Sequence, residues 1–313
     1  MYTRHLLAGV MYVSVACACW AYAFVVPIFL HGYSPTQIAI ARYFFYGMLS
    51  VVLFFTASGR KRFPLKYWLM AFFLGLTGNV LYYYLLVIGI NLTGPEIAIP
   101  IGGMMPVAVA ILGNWLLKEF PLSKIAMPLT VSFVGLLFVN FTYLPAGEGV
   151  SGGAVFGILA SCASLMLWSW YGVTNAAFLK RNSDINSSTW TNMIGIMSLV
   201  QVLMWGGVDY FYFGYTQIPS IATKDFLSFC LWTASLGIVS SWLGTMAWNI
   251  GAKKLPITLA GQFIVMEPLL GLVYVFLYKG KLPTILEMAG FAVCILGIVL
   301  TLRKIQGLRL QAA

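Results

Sequence analysis

Three ionisable side chains fall inside or at the edge of strongly apolar stretches: Arg42, Glu96 and Glu267. A charge held in hydrocarbon is costly and persists where it meets a partner, a substrate or a proton. Glu267 lies about ten residues into its stretch, too deep for its side chain to reach the surface, so a carboxylate here suits proton exchange or a charged ligand. Arg42 fits two roles, a structural pair with a carboxylate or helix carbonyls and a seat for an anionic group. Glu96 follows Gly94-Pro95, where it either favours a helix start through the dipole or lines a pathway. A second constellation combines rings with amides. Asn79, Tyr82 and Tyr83 share a helix face at i, i+3 and i+4, and Trp168, Tyr171 and Asn175 do so at i, i+3 and i+7. Trp242, Met246 and Asn249 repeat the arrangement. Any one ring also serves as an interfacial anchor, but carboxamides facing lipid would forfeit their hydrogen bonds, so these faces suit a cavity. With Trp20 they are predicted to line one central site for a small molecule, apolar walls carrying a few placed polar groups.

Chemistry of other kinds finds no residues. The two histidines, His5 and His31, lie outside the apolar stretches, and Cys17, Cys19, Cys162, Cys230 and Cys294 form no CxxC pair. No phosphate-binding glycine loop and no G-x-S-x-G elbow occurs. The expectation is a protein that is no enzyme and binds no metal and no cofactor. An intramembrane hydrolase and an ion channel are the poorer alternatives, since a selectivity-filter loop or charged ring is equally missing.

The elements that must position these residues are helices in a bilayer. Hydrophobic residues make up 61% of the 313-residue chain and charged ones 8%, against roughly a quarter charged in a soluble domain, so no soluble surface could be covered. Apolar runs at about 6–28, 36–57, 65–90, 95–117, 124–142, 152–178, 186–206, 226–250, 257–278 and 284–302 each match a membrane span. Proline and glycine clusters separate most of them. The net charge of +10 resides in short clusters between runs, which speaks against a nucleic-acid surface. If the N-terminus is cytoplasmic, 14 of the 18 basic residues fall in cytoplasmic segments, including Arg60 to Arg62, Lys253, Lys254, Arg303 and Lys304. The positive-inside rule therefore predicts an even number of spans with both termini cytoplasmic.

Sliding the chain against itself by 162 residues aligns about 50 residues without a gap, placing Gly89 on Gly251, Ala98 on Ala260, Pro106 on Pro268, Pro121 on Pro283 and Gly135 on Gly297. Five spans separate equivalent positions, so the second copy enters the membrane from the opposite side. The fold expected is all-α and polytopic, ten transmembrane helices in two inverted five-helix repeats, 1–145 and 146–313.

The stretch GINLTGPEIAIPIGGMMPVAVAILGNWLLKEFPLSKIAMPLTVSFVGLLFV, with Pro106, Glu119 and Gly135, resembles the conserved stretch of the drug/metabolite transporter superfamily in its EamA-type branch of paired five-helix repeats. In the second copy Glu267-Pro268 resembles the family's EP pair, while Lys281 stands where an acidic residue is usual. WSWYGVTN and AWNIG are similar to the branch of bacterial amino acid exporters. The resemblance implies a secondary carrier in the bacterial inner membrane, working by alternating access as a monomer or homodimer. It implies export of small amphiphilic metabolites, amino acids first, with protons as a coupling ion. Organic or quaternary ammonium cations remain the alternative substrates, held by rings and by Glu96 or Glu267.

Overall fold

The structure, a computed structural model, describes residues 2–30, 33–57, 62–93, 98, 101–117, 122–141, 152–213, 226–280 and 282–310. Glu96, His31, Glu119 and the expected repeat boundary at 145 and 146 lie outside the described residues. Every regular element is helical among those described. That follows from the solvent, since a backbone in hydrocarbon must satisfy its own N–H and C=O groups and a helix does so within one segment.

We number the helices by span. α1 runs Tyr2–Ala21, α2 Pro35–Ala57, α3 Leu65–Thr93, α4 Met105–Leu117 and α5 Leu122–Phe141. In the second half α6 runs Gly152–Arg181, α7 Ser187–Phe213 and α8 Phe226–Lys254. α9 comprises Ile257–Phe263 and Met266–Lys279, and α10 runs Ile285–Leu310. Among the described residues five helices, α2, α3, α6, α7 and α8, are long and apolar enough to cross a membrane, and five shorter apolar helices accompany them. Large apolar side chains such as Met11, Phe55, Trp115 and Phe211 stand exposed on the outside, the surface a lipid solvent requires.

The breaks within α3 and α8 and those of α4 and α9 come in matched pairs, while the break at the end of α1 has no counterpart in α6. α1 ends in a 3-10 turn at Tyr22–Phe24 ahead of Val26–Phe29, where Pro27 cannot donate a backbone bond to the preceding turn. α3 widens into a π-helical turn at Leu76–Val80 and α8 at Leu236–Leu243, positions that coincide under the 162-residue shift. α9 is interrupted at Ile264 and Val265, and α4 starts after a turn at Gly103 and Met104, again equivalent within a residue.

The packing reproduces the same two-fold relation. α5 crosses α10 so closely that a Cβ on Gly135 would lie 2.5 Å from the Cys294 nitrogen and one on Gly297 would lie 2.6 Å from the Ser132 nitrogen. Ser132 and Cys294 are themselves 162 residues apart, so each glycine receives the other repeat's equivalent residue. α3 meets α6 where Gly157 faces Gly89, Leu92 and Thr93, and α1 meets α8 where Gly9 faces Lys254 and Leu255 and Gly251 faces the Gly9 carbonyl. These contacts relate Gly9 to Gly157 by 148 residues, not 162. The first two helices of each repeat thus follow a second register. The two registers differ by 14 residues, taken up by the later end of α7 and the longer connection before α8, which the ungapped alignment could not cross.

Candidate functional site

The 148-residue register makes Trp20 on α1 the equivalent of Trp168 on α6, and their rings meet edge to face at 5.5 Å. Trp248 of α8 closes the group, 5.4 Å from Trp20 and 6.0 Å from Trp168, and Tyr171 follows 6.1 Å from Trp168. All four rings are buried. Tyr82 packs against this cluster from α3, whereas Tyr83 and Trp242 pack with Tyr43, Tyr46 and Leu199 in a neighbouring one. The six rings expected around one cavity are therefore shared between two adjoining clusters. Trp248, one ring among many in the sequence and on none of the faces that pair rings with amides, belongs to the first. Its indole N–H has no acceptor among the described residues.

The two π turns set the polar groups. A π turn inserts an extra residue, rotates the following face and recurs at functional sites in helical proteins. In α8 it presents Ser240 and Ser241 to α2, where Arg42 Nη2 donates to Ser240 Oγ and Arg42 Nε to Ser241 Oγ, both at 2.9 Å. The guanidinium also stacks 5.3 Å from the Tyr43 ring and 5.7 Å from the Tyr83 ring. In α3 the π turn turns Asn79 toward α7, and its amide donates to Ser198 Oγ at 2.9 Å. Asn79 is the 162-residue equivalent of Ser241, so both copies use this position to reach the second helix of a repeat.

Glu267 sits in the first turn of the second piece of α9, just past the interruption. It is partly buried and within electrostatic reach of Arg42, of Tyr82 and of Cys17. Among the described residues it forms no salt bridge. Its equivalent in the first repeat is Met105, which carries no charge. Arg42, by the 148-residue register, matches Trp190. Among the described residues, Arg42 beside the Tyr83 ring and Glu267 both act electrostatically on Tyr82.

Asn175 and Asn249 are buried and spent on each other. Asn175 Nδ2 donates to Asn249 Oδ1 at 2.6 Å, Trp190 Nε1 to Asn175 Oδ1 at 2.7 Å and Asn249 Nδ2 to Thr191 Oγ1 at 2.9 Å. Tyr46 O–H adds a bond to the Thr191 carbonyl at 2.9 Å. This lattice joins α2, α6, α7 and α8 roughly two turns from Trp168 along α6. Phe178 stacks on Trp190 at 4.1 Å beyond it, and Tyr67 O–H donates to Asn182 Oδ1 at 3.0 Å. Lys253 then donates to the Ile185 carbonyl. Trp242 is also held, its Nε1 donating to Asn192 Oδ1 at 2.7 Å. The opposite end is covered by rings, Phe29 stacked on Trp232 at 4.3 Å and Tyr33 tilted on Phe229 at 4.5 Å. No group of three metal-ligating side chains occurs among the described residues.

Comparison with known proteins adds a consistent picture. The EamA-like transporter family matches residues 7–141 and again 155–303. The chain is similar to the inner membrane protein YtfF of Escherichia coli (strain K12), 28% identical over 308 residues, covering 95% of this chain and 96% of the relative. It is also similar to the uncharacterized transporter YdfC of Bacillus subtilis (strain 168), 26% identical, with 93% and 90% of the two chains covered. A solved crystal structure superposes with a TM-score of 0.74 at 18% identity, over 96% of this chain and 98% of that one, a likeness of fold.

Proposed function

The chain belongs to the EamA-like transporter family, and from that premise we propose that it carries apolar or aromatic amino acids as zwitterions, outward across the bacterial inner membrane, by alternating access. The observation that carries this reading is the pair of opposite charges around Tyr82. Among the described residues Arg42 is held by two serines and by no carboxylate, and Arg42 and Glu267 both lie within electrostatic reach of Tyr82 and of each other. A carboxylate on Arg42 and an ammonium near Glu267 would neutralise both charges, while the Trp20, Trp168 and Trp248 rings receive the side chain. Binding would then be worth most for a ligand bearing both charges, since each lone charge leaves its protein partner desolvated.

An organic cation fits less well. The faces of Tyr43 and Tyr83 that would cage a quaternary ammonium are already occupied by the Arg42 guanidinium, which would also repel it. In the proposed cycle the halves 1–145 and 146–313 rock about the α5 and α10 crossing. The Asn175, Asn249 and Thr191 lattice parts on one face and the Phe29 and Trp232 stack on the other. Both termini lie in the cytoplasm, on the side of the lattice, where Arg62, Lys66, Lys180, Arg181, Lys253 and Lys254 gather. Protons moving through Glu267 supply the coupling.

Thermal unfolding of the purified protein with amino acids, choline-like cations and nucleosides tests the substrate class. Stabilisation by apolar or aromatic amino acids that saturates with concentration is expected. Stabilisation by choline-like cations alone would replace the zwitterion with the cation.

A further inference from the structure

Where α5 starts and α10 ends, beyond their close crossing, the two helices leave a cleft of about 510 Å³. Its polar rim is formed by Ser123 and Lys124 of α5 with Arg303 and Lys304 of α10, and the apolar Met127, Pro128 and Leu300 line it one turn further along each helix. The rim side chains are exposed, and among the described residues no acid lines the cleft. We propose that this cleft binds the phosphate headgroup of an anionic phospholipid, with an acyl chain laid along Met127 and Leu300.

Three observations carry the inference. The first is the order of the lining along the helices, three cations and a hydroxyl toward the helix ends and apolar side chains one turn further into the span, which matches a phosphodiester on a lipid tail and not a soluble peptide or nucleotide. The second is position, because the rim lies at the ends of two membrane helices, at headgroup depth, where lysine and arginine stems run along apolar surface and their charges meet phosphates. The third comes from the two-fold relation. The same two helices build the opposite end of the crossing, where the 162-residue shift puts Ile285 for Ser123, Leu286 for Lys124 and Phe141 for Arg303. Helix geometry is repeated at both ends and charge is not, so the basic rim is a property of this face alone. A lipid here would bridge the two repeats at the joint that links them.

The shared chemistry with free phosphate is separated by experiment. The purified full-length protein in neutral detergent is titrated with dioleoyl phosphatidylglycerol, dioleoyl phosphatidylcholine or glycerol phosphate, followed by native mass spectrometry and thermal unfolding. Phosphatidylglycerol should bind about fivefold or more tighter than phosphatidylcholine, the scale of a few charge-assisted contacts at an exposed rim. The combined Lys124→Gln, Arg303→Gln, Lys304→Gln variant should lose that preference, and glycerol phosphate should stabilise neither protein. An unchanged preference in the variant, or equal stabilisation by glycerol phosphate, overturns the lipid site. On the unaltered protein, a photoreactive phosphatidylglycerol should label peptides containing Met127 or Leu300. Labelling confined to other helices overturns it whether or not the variant can be purified.

Discussion

Cost made the charged residues legible in the sequence. Arg42 and Glu267 stood out because a charge in hydrocarbon has to be compensated, but their partners were not readable, since Ser240 and Ser241 reach Arg42 only through the π turn of α8. Glu267→Gln should cut transport tenfold or more, because a neutral amide neither balances an ammonium nor carries a proton, while the protein still inserts and purifies. Near-normal uptake in proteoliposomes with an unchanged pH profile would make Glu267 structural. Arg42→Lys should also lose activity, since one ammonium cannot donate to both serines and to a ligand in the guanidinium's fixed fork. The amides illustrate what spacing leaves out. Periodicity put Asn175 and Asn249 on ring-bearing faces, yet side-chain partners depend on which helix lies opposite, and each lies opposite the other. Asn249→Ala strips the partner from Asn175 Nδ2 inside a buried lattice and should cost about 1–3 kcal/mol. Thermal unfolding would show it, and a variant as stable as the parent would mean that the lattice contributes nothing.

The elements were legible where they repeated without a gap. Breakers and glycines from α3 to α5 recur in α8 to α10 at a constant 162-residue spacing, and the same spacing pairs the two π turns. The first two helices of each repeat escaped detection because a connection of different length shifts them to 148 residues, and apolar runs share too few distinctive residues to reveal a shifted match. The π turns were equally hidden, as a 3.6-residue count assumes a regular helix. At the α5 and α10 crossing, Gly297→Leu would drive a side chain into the Ser132 backbone, and Gly135→Leu would do the same at Cys294. Each should destabilise by about 1–3 kcal/mol through overpacking. The equivalent change at Gly102, where a Cβ meets nothing within 4 Å, should be tolerated better. A melting series across the three variants checks this, and equal losses at all three positions would remove the crossing from its structural role.

For the molecule as a whole, composition alone identified a membrane protein and the lysine and arginine distribution predicted its orientation. Cysteine labelling from either side should find both termini cytoplasmic, and labelling of either from outside would contradict that topology. The central claim is that one ligand spans Arg42 and Glu267. The direct measurement is a binding cycle with phenylalanine, phenethylamine and 3-phenylpropanoate against the unaltered protein, Arg42→Gln and Glu267→Gln. Loss of the ligand's carboxylate and loss of Arg42 should be non-additive, as should loss of its ammonium and loss of Glu267, with coupling of about 1 kcal/mol or more, roughly fivefold in affinity. If each variant weakens all three ligands by the same factor, the two charges do not hold the two ends of one substrate.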